Sequence, residues 1–233
     1  MRPKQGWVEK AKKNAALEAV KLVKDGFSVG LGSGSTAAYA IEQIGNKIKL
    51  EKMQVLGVPT SYQALMLAIK HGIPITTLDE HPTLDLTIDG ADQIDEQLNL
   101  IKGMGGALTR EKIVAFASKK LVIVADESKK VGVLGENNHP VPIEVLPLAT
   151  PVLMRKIKEI AGKPTIREGV KKVGPVITDN GNLILDVDFG LITKPAELEH
   201  KLKKLTGVVE TGLFVQMANL VYLGKGSGVE KLT

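Results

Sequence analysis

The sequence predicts an α/β protein with a Rossmann-like parallel-sheet domain and a smaller, ferredoxin-like α+β domain. In the first half, short apolar runs alternate with stretches of helical periodicity, and strands that alternate with helices form parallel sheets. From about residue 132 the order changes to β-α-β-β-α-β, which is typical of ferredoxin-like domains. We therefore expect the first domain to cover residues 1–131, with 206–233 returning to it, and the second to cover 132–205.

The elements of the first domain follow from apolar spacing and from the residues that end each run. Residues 8–24 carry alanine and valine at helical spacing, and Asp25-Gly26 ends that helix. Phe27–Leu31 is a short apolar run, as expected of a buried strand. In order, the predicted elements are helix 8–24, strand 27–31, helix 35–45, strand 53–58, helix 61–70, strands 73–78 and 84–88, helix 109–119 and strand 121–125.

The second domain is predicted from two helix patterns set among four strand patterns. The predicted elements are strand 141–146, helix 150–161, strands 164–168 and 182–188, helix 195–205 and strand 207–214. The segment Asp179-Asn180-Gly181-Asn182 provides the turn residues that a hairpin between the two central strands needs. A last apolar run, 219–224, can return to the first sheet.

Composition excludes several classes of protein. The chain has 233 residues, of which 43% are hydrophobic and 24% charged, as is typical of globular proteins. It has no cysteine, which excludes disulfides, thiolate nucleophiles and cysteine-ligated zinc. The four histidines occur singly and share no ligand spacing, so we expect no metal and no cofactor.

The expected location follows from hydropathy. Nowhere do about 18 apolar residues follow one another without a charge, so no membrane span is expected. The N-terminal segment 1–6 is basic, but the apolar core of a signal peptide does not follow it. We therefore expect a cytoplasmic protein.

The charge balance bears on the kind of ligand. A net charge of +5, from 31 basic and 26 acidic residues, first suggests nucleic acid, whose phosphates attract lysine and arginine. The basic residues are interspersed with acidic ones, however, and the chain has only one Trp, three Tyr and four Phe for base stacking. We expect no nucleic-acid binding, and a mild excess of lysine also suits an enzyme with anionic substrates.

A turn rich in glycine and hydroxyl groups, Gly30–Thr36, lies between a predicted strand and a predicted helix. Its glycines let the backbone approach a ligand, and the free N–H groups at the helix start attract anions. The turn satisfies a relaxed dinucleotide fingerprint, but the second strand ends in Val58–Ser61 and lacks the acidic residue that would bind the ribose. A single phosphate or sugar oxygens fit it better, and the alternative is a turn with a serine cap.

Two carboxylates three residues apart, in Asp89-Gly90-Ala91-Asp92, follow the buried strand 84–88. Ligands bind at the carboxyl ends of strands in open α/β sheets, and paired carboxylates can accept hydrogen bonds from vicinal hydroxyls of a sugar. The same residues could begin a metal site or cap the turn that follows.

The segment Lys102–Lys112 begins with Lys102-Gly103-Met104-Gly105-Gly106, a lysine with three glycines close behind it. The amides and the ammonium group of such a loop can surround an oxyanion. Thr109 fits a helix N-cap, which would place Glu111 in the first turn, where the helix dipole favours an ionised carboxylate. Such a group can act as a general base, and the alternative is a surface residue that only satisfies the dipole.

Another polar segment, Asp126–Lys130, follows the strand 121–125 at the same predicted edge of the sheet. Lys129 or Lys130 could reach a phosphate, and the alternative is a solvated run of charges. All four polar segments follow carboxyl ends of strands in one sheet, which indicates a common binding site.

Several of these segments resemble ribose-5-phosphate isomerase type A. The resemblance rests on Gly32–Ala38, Asp89–Asp92, Lys102–Lys112, Asp126–Lys129 and Val176–Asn182. It extends in order over nearly the whole chain. The resemblance implies an aldose–ketose isomerase that interconverts D-ribose 5-phosphate and D-ribulose 5-phosphate without a metal, in the non-oxidative pentose phosphate pathway. It also suggests that the protein is a homodimer or homotetramer.

The resemblance also implies roles for individual residues. It places the catalytic base on Glu111, and we assign oxyanion stabilisation to Lys102 with the neighbouring amides and orientation of hydroxyls or ring opening to Asp89 and Asp92. The implied substrate contacts are Ser33, Gly34, Ser35, Thr36, Asp89, Gly90, Ala91, Asp92, Lys102, Gly103, Met104, Gly105 and Lys129.

The chain departs from the family pattern at two positions, and alternatives remain. Met104 stands where the family usually has glycine, and Ser33 where threonine is common; Met104 could narrow the pocket. The nearest alternative is a related sugar-phosphate deaminase or lactonase, although a deaminase is expected to use a pocket histidine. A non-catalytic sugar-phosphate sensor is the second alternative.

Overall fold

The computed structural model describes residues 5–233, and the chain divides into two compact units. The first unit comprises the chain up to Ala91 together with Arg110–Lys129 and Met217–Thr233, and the second comprises Asp92–Thr109 and Lys130–Gln216. The second unit therefore takes in residues 92–109 and continues to Gln216, whereas the sequence suggested 132–205 for it. The segment 1–4, part of the basic N-terminus, lies outside the described residues.

The elements alternate along the first half and change order in the second. In chain order they are α1 (Gln5–Val20), β1 (Ser28–Leu31), α2 (Ser35–Glu51), β2 (Leu56–Pro59), α3 (Tyr62–His71), β3 (Leu86–Asp89), β4 (Gln93–Ile94), β5 (Leu100–Ile101), α4 (Leu108–Phe116), β6 (Leu121–Asp126), β7 (Val141–Val145), α5 (Thr150–Glu159), β8 (Lys163–Ile166), β9 (Leu183–Asp188), α6 (Pro195–Lys203), β10 (Val208–Thr211), β11 (Leu213–Phe214), β12 (Leu220–Lys225) and β13 (Gly228–Leu232).

The first unit is built on a six-stranded sheet in the order β13-β12-β6-β3-β1-β2. All neighbouring strands are parallel except β12 and β13, which form an antiparallel pair. Every residue of β1, β3 and β6 is buried, as expected of parallel strands covered on both faces. The α/β prediction is confirmed, and the run 219–224 does return to this sheet as β12.

Small side chains let α1 lie close to the sheet. Ala11, Ala15 and Ala19 are fully buried, and a methyl group on Gly224 of β12 would overlap the carbonyl of Ala11. The helix ends at Val20, earlier than the predicted residue 24, and the residues that follow form a turn. The alanine spacing thus reflects close helix–sheet packing.

In the first unit, one predicted strand is wrong, and one strand was missed among the described residues. Residues 73–78 contribute only a bridge between Ile75 and Gly57, held by hydrogen bonds from Gly57 N to Pro74 O and from Thr76 N to Gly57 O. Proline has no N–H to donate, so the pairing does not extend into a ladder. The missed strand is β13, which pairs with β12 across a short turn at Gly226.

The second unit contains a four-stranded antiparallel sheet in the order β10-β7-β9-β8. With α5 after β7 and α6 after β9, this is the ferredoxin-like arrangement that the sequence predicts. Its core includes Ile143, Leu153, Ile157 and Leu185. A separate three-stranded sheet in the order β11-β5-β4, which the sequence did not predict, explains why residues 92–109 belong to this unit.

Among residues 5–233, no helix has the length and apolar character needed to cross a membrane.

Candidate active site

The turn after β1 brings three hydroxyl groups together. Oγ of Ser33 lies 2.8 Å from Oγ1 of Thr60 and donates to Oγ of Ser61 at 2.5 Å. Thr60 and Ser61 follow β2, which pairs with β1 in parallel, so the two strand ends lie side by side. From the sequence, these two residues stand out only because the strand end lacks an acidic group; their position after the second strand is the signal that could have identified them.

The start of α2 presents backbone N–H groups. The first hydrogen bond within this part of the helix runs from Ala38 N to Gly34 O at 3.0 Å, so the N–H groups of Ser35, Thr36 and Ala37 have no acceptor inside the helix. Gly34 is the N-cap, with φ 95° and no side-chain cap, so the alternative of a serine cap is wrong. Such a helix start can bind an anion.

Asp89, at the end of β3, holds this turn in place. The side chain is buried, and its Oδ1 accepts hydrogen bonds from Ser33 N at 3.0 Å and from Gly90 N at 2.7 Å. A methyl group on Gly32 would overlap the same carboxylate, so Gly32 is required for the close approach. The structure therefore brings together the two predicted segments that contain Ser33 and Asp89.

Glu111 is buried in the first turn of α4. Its exposed fraction is 5%, so it is not a surface residue that only satisfies the helix dipole. The helix begins at Leu108, so Thr109 lies inside the first turn and is not the N-cap that the sequence suggested. The neighbouring Arg110 turns outward, with Cζ 5.3 Å from the centroid of the Tyr62 ring. A buried carboxylate in this position can accept and return a proton.

Lys129 follows β6 in a single turn of 3₁₀ helix, at the carboxyl edge of the sheet where Ser33 and Asp89 also lie. It is partly exposed. The turn is fixed by Asp126, whose Oδ1 accepts from Ser128 N at 3.1 Å and from the Ser128 hydroxyl. The segment is therefore an ordered turn at the surface, and a phosphate contact by Lys129 stays a prediction.

In the second unit, Lys102 is buried with an exposed fraction of 2%. Its Nζ lies 5.4 Å from the ring centroid of Phe214, close enough for a cation–π interaction. Its backbone N–H donates to the carbonyl oxygen of Gly212, the residue just before β11, at 2.9 Å. Sequence reasoning did not identify Phe214 because it lies more than a hundred residues further along the chain.

The loop after Lys102 is a tight turn. Gly103 has φ 103°, and its carbonyl accepts from Gly106 N at 2.9 Å. Oδ2 of Asp92 accepts from Met104 N at 3.0 Å, so Asp92 helps to hold the loop. Met104 is 42% exposed and Gly105 is exposed. Backbone N–H groups in such a turn can bind a negatively charged oxygen.

An arginine that was not among the predicted site residues, Arg167, binds this loop. Nη1 of Arg167, just after β8, donates to the carbonyl oxygens of Gly103 at 2.8 Å and of Met104 at 3.0 Å. Its Nε donates to Oδ2 of Asp186 on β9 at 2.8 Å. More than sixty residues separate the arginine from the loop, so no local pattern signals the contact.

The described part of the chain contains no group of three or more His, Asp or Glu side chains that could hold a metal ion. The groups arranged in the first unit are hydroxyls, backbone N–H groups, a buried aspartate and a buried glutamate; those in the second are a buried lysine and glycine amides. These are groups that bind hydroxyls and anions and that transfer protons.

Comparison with known proteins gives one consistent result. Residues 56–228 match the family model described as ribose 5-phosphate isomerase A (phosphoriboisomerase A). The chain is 51% identical over 221 residues to ribose-5-phosphate isomerase A of Methanosarcina acetivorans, covering 95% of this chain and 93% of that protein.

Two solved structures are similar over nearly the whole chain. One is the ribose 5-phosphate isomerase A of Methanocaldococcus jannaschii, with a TM-score of 0.93, 48% identity and coverage of 97% of this chain and 99% of that one. The other is a D-ribose-5-phosphate isomerase in complex with phospho-erythronic acid, with a TM-score of 0.94, 46% identity and coverage of 97% and 98%.

Proposed function

The chain belongs to the ribose 5-phosphate isomerase A family, and on this premise we propose that it interconverts D-ribose 5-phosphate and D-ribulose 5-phosphate. It is an aldose–ketose isomerase. The observation that carries the assignment of the chemistry is the burial of Glu111 at the start of α4, directly after a loop that contains a buried lysine.

Glu111 is the base that moves the proton. Isomerisation of an open-chain aldose removes the hydrogen on C2 and returns a proton to C1 through an enediolate, so one carboxylate that reaches both carbons can carry that proton. The hydroxyl proton on O2 moves to O1 in the same conversion, so that the carbonyl passes from C1 to C2. Glu111 is 5% exposed, and its first-turn position favours the ionised form that begins the cycle.

Lys102 and the glycine amides stabilise the charge that the base creates. When the C2 proton leaves, negative charge develops on the carbonyl oxygen at C1, and the return of the proton to C1 leaves the carbonyl on C2. A buried ammonium group and fixed N–H donors stabilise such charge more strongly than water does. Lys102 supplies the ammonium group, and the loop Gly103–Gly106 supplies the amides.

The remaining residues hold the sugar phosphate. Asp89 and Asp92 accept hydrogen bonds from sugar hydroxyls, and one of them assists the opening of the furanose ring. The turn Ser33–Thr36 and Lys129 bind the polar and anionic ends of the substrate. The helix-start N–H groups of α2 and the hydroxyl of Ser33 support this assignment, because they are suited to phosphate or sugar oxygens.

Incubation with D-ribose 5-phosphate in D₂O tests the function directly. We expect formation of the ketose together with exchange of the transferred hydrogen for deuterium. Release of ammonia from an amino-sugar phosphate would instead indicate a deaminase, and hydrolysis of a phosphogluconolactone a lactonase. Binding of the pentose phosphate without turnover would indicate a sensor, and each of these results would contradict the assignment.

The cellular setting is also part of the proposal. We propose that the reaction belongs to the non-oxidative branch of the pentose phosphate pathway, and a cytoplasmic location fits that role. We also propose that the protein forms a homodimer or homotetramer. Large apolar side chains at the surface support this proposal, among them Met66, Ile69 and Phe116, the last of which is 86% exposed. Light scattering coupled to size-exclusion chromatography measures the state, and a monomer at micromolar concentration would contradict it.

A further inference from the structure

Arg167 reaches the loop Gly103–Gly106 from the ferredoxin-like part of the second unit. One nitrogen, Nη1, donates to two consecutive carbonyl oxygens, those of Gly103 and Met104. Nη1 carries two hydrogens, so each carbonyl receives its own hydrogen bond. The other side of the guanidinium, Nε and Nη2, donates to the two carboxylate oxygens of Asp186.

Two carbonyls held in this way also fix two N–H groups. In a trans peptide the C=O and N–H bonds are coplanar and point in opposite directions. The carbonyl of Gly103 shares its peptide group with Met104 N–H, and that N–H does point to Oδ2 of Asp92, at 3.0 Å. The carbonyl of Met104 shares its peptide group with Gly105 N–H, which therefore points away from the guanidinium.

Arg167 is itself well held. Its side chain is only 11% exposed and that of Asp186 18%, so the ion pair is largely shielded from water. Asp186 lies within β9, whose pairing with β8 and β7 keeps it in a fixed position. Nη2 also lies 3.9 Å from Sδ of Met104, the residue that departs from the family pattern.

We propose that Arg167, held by Asp186, is a positioning residue that orients the Gly105 N–H toward the oxyanion of the enediolate. This inference rests on the proposed function. The ferredoxin-like sheet then has a part in catalysis without touching the substrate, because it fixes the direction of an amide donor. A donor that is displaced loses much of its stabilising effect on a transition state, although the loop itself remains.

The first test is the steady-state kinetics of Arg167→Met, a substitution that keeps an aliphatic side chain and removes the guanidinium group with all of its hydrogen bonds. We expect kcat to fall about 10- to 100-fold with KM within about threefold, since the donor acts mainly on the transition state. The matched control is Lys163→Met, which removes the exposed Lys163–Asp188 pair (3.4 Å) from the same two strands. We expect its kcat to be unchanged.

A second measurement separates positioning from a loss of folded protein. Phospho-erythronic acid carries a carboxylate that resembles the enediolate, whereas ribitol 5-phosphate carries the phosphate but has neutral hydroxyls at C1 and C2 in place of the carboxylate. In calorimetric titrations, which report affinity independently of the active fraction, Arg167→Met should weaken the first ligand about as much as it lowers kcat/KM. The affinity for ribitol 5-phosphate should change by less than about threefold.

Arg167→Lys serves as a second variant if Arg167→Met does not fold. Lysine keeps the charge beside Asp186 but cannot bind the carboxylate and both carbonyls at once, so we expect the same selective loss. Equal weakening of both ligands, or of neither, in the variant that folds would overturn the inference. If the wild-type protein itself fails to isomerise ribose 5-phosphate, the proposed function has failed instead, so the two failures are distinguishable.

Discussion

At the scale of single residues, burial distinguishes the candidate groups from ordinary surface charges. Glu111 and Lys102 are charged residues with exposed fractions of 5% and 2%, and charged side chains are seldom buried to that extent unless they are paired or functional. The sequence indicates both residues through the glycine loop and the helix start. Only the structure shows their burial.

Replacement of Glu111 tests the assignment of the base. We expect Glu111→Gln to lower kcat by roughly 10³-fold or more and to leave KM within a few-fold, because the amide has the same shape but cannot accept the proton. Steady-state kinetics with ribose 5-phosphate measures the effect. A variant that keeps more than a tenth of the wild-type turnover would remove Glu111 from this role.

Asp85 links stability to pH at the other end of β3. Its carboxylate accepts hydrogen bonds from Lys119 Nζ at 2.8 Å and from Ser28 N at 3.0 Å. The bond from Lys119 lowers the pKa of Asp85 most, and the bond from Ser28 lowers it further, so the pKa lies below its usual value although partial burial raises it. A lowered pKa in the folded state stabilises the fold above the unfolded pKa near 4, and this contribution is lost as the pH falls through the folded value.

We therefore expect Asp85→Asn to lower the free energy of unfolding by about 1 kcal/mol at pH 7. The difference from the wild type should stay constant down to about pH 5 and disappear as the pH falls below the folded pKa. Urea unfolding at several pH values measures it. A difference that grows toward low pH would show that the sign is wrong.

At the scale of elements, the ends of strands and helices determine what the candidate residues can do. The turn between β1 and α2 depends on Gly34, whose φ of 95° and ψ of 178° are accessible essentially to glycine alone. A methyl group there would meet no atom within 4 Å, so only the backbone conformation requires glycine.

Gly34→Ala isolates that backbone requirement. We expect it to cost about 1–3 kcal/mol of stability and to raise KM for ribose 5-phosphate, because the strain displaces the N–H groups at the start of α2. Gly228→Ala is the matched control, since it also has open space but no positive φ. Equal stability of the two variants in chemical denaturation would contradict the prediction.

The hairpin between β8 and β9 ends in a turn that a buried glutamate holds. Oε1 of Glu144, on β7, accepts from Thr178 Oγ1 at 2.9 Å, Asn180 Nδ2 at 3.0 Å and Asn182 Nδ2 at 2.8 Å. The sequence indicates the turn through its Asp-Asn-Gly-Asn residues, but not the glutamate that binds it.

Glu144→Leu should therefore destabilise the protein by about 3 kcal/mol, since it leaves three donors without their acceptor. Glu144→Gln retains the acceptor oxygen and should cost about 1 kcal/mol or less. The free energies of unfolding from urea titrations decide the matter: a leucine variant as stable as the glutamine variant would show that these bonds contribute little.

At the scale of the whole molecule, the candidate site residues provide a lysine, carboxylates, hydroxyls and backbone amides. We expect activity to be unchanged after dialysis against EDTA, because the proposed function assigns to Lys102 and the glycine amides the stabilisation that a divalent cation would otherwise give. Loss of activity that zinc, magnesium or manganese restores would refute a metal-free reaction.

The architecture of the whole chain could be predicted to a large extent. Alternating apolar runs and helical periodicity predicted the parallel sheet, and the β-α-β-β-α-β order predicted the antiparallel one. The predicted strand 73–78 failed because its apolar residues include Pro74, which cannot donate to a ladder. The two-residue strands β4 and β5 are too short to produce a periodic signal, whereas β11 lies inside the predicted strand 207–214, which the structure divides into β10 and β11.

What the sequence by itself determined is the set of properties that depend on neighbours along the chain. These are the periodicity of helices and strands, the glycine turns, and the place of Glu111 in a first helical turn, since each depends on a few consecutive residues. The tertiary structure alone decided that Ser33 meets Thr60, that Asp89 holds Ser33, and that Arg167 holds Gly103. Such contacts join residues 27 to 64 positions apart, and which strand ends become neighbours depends on the packing of the whole core.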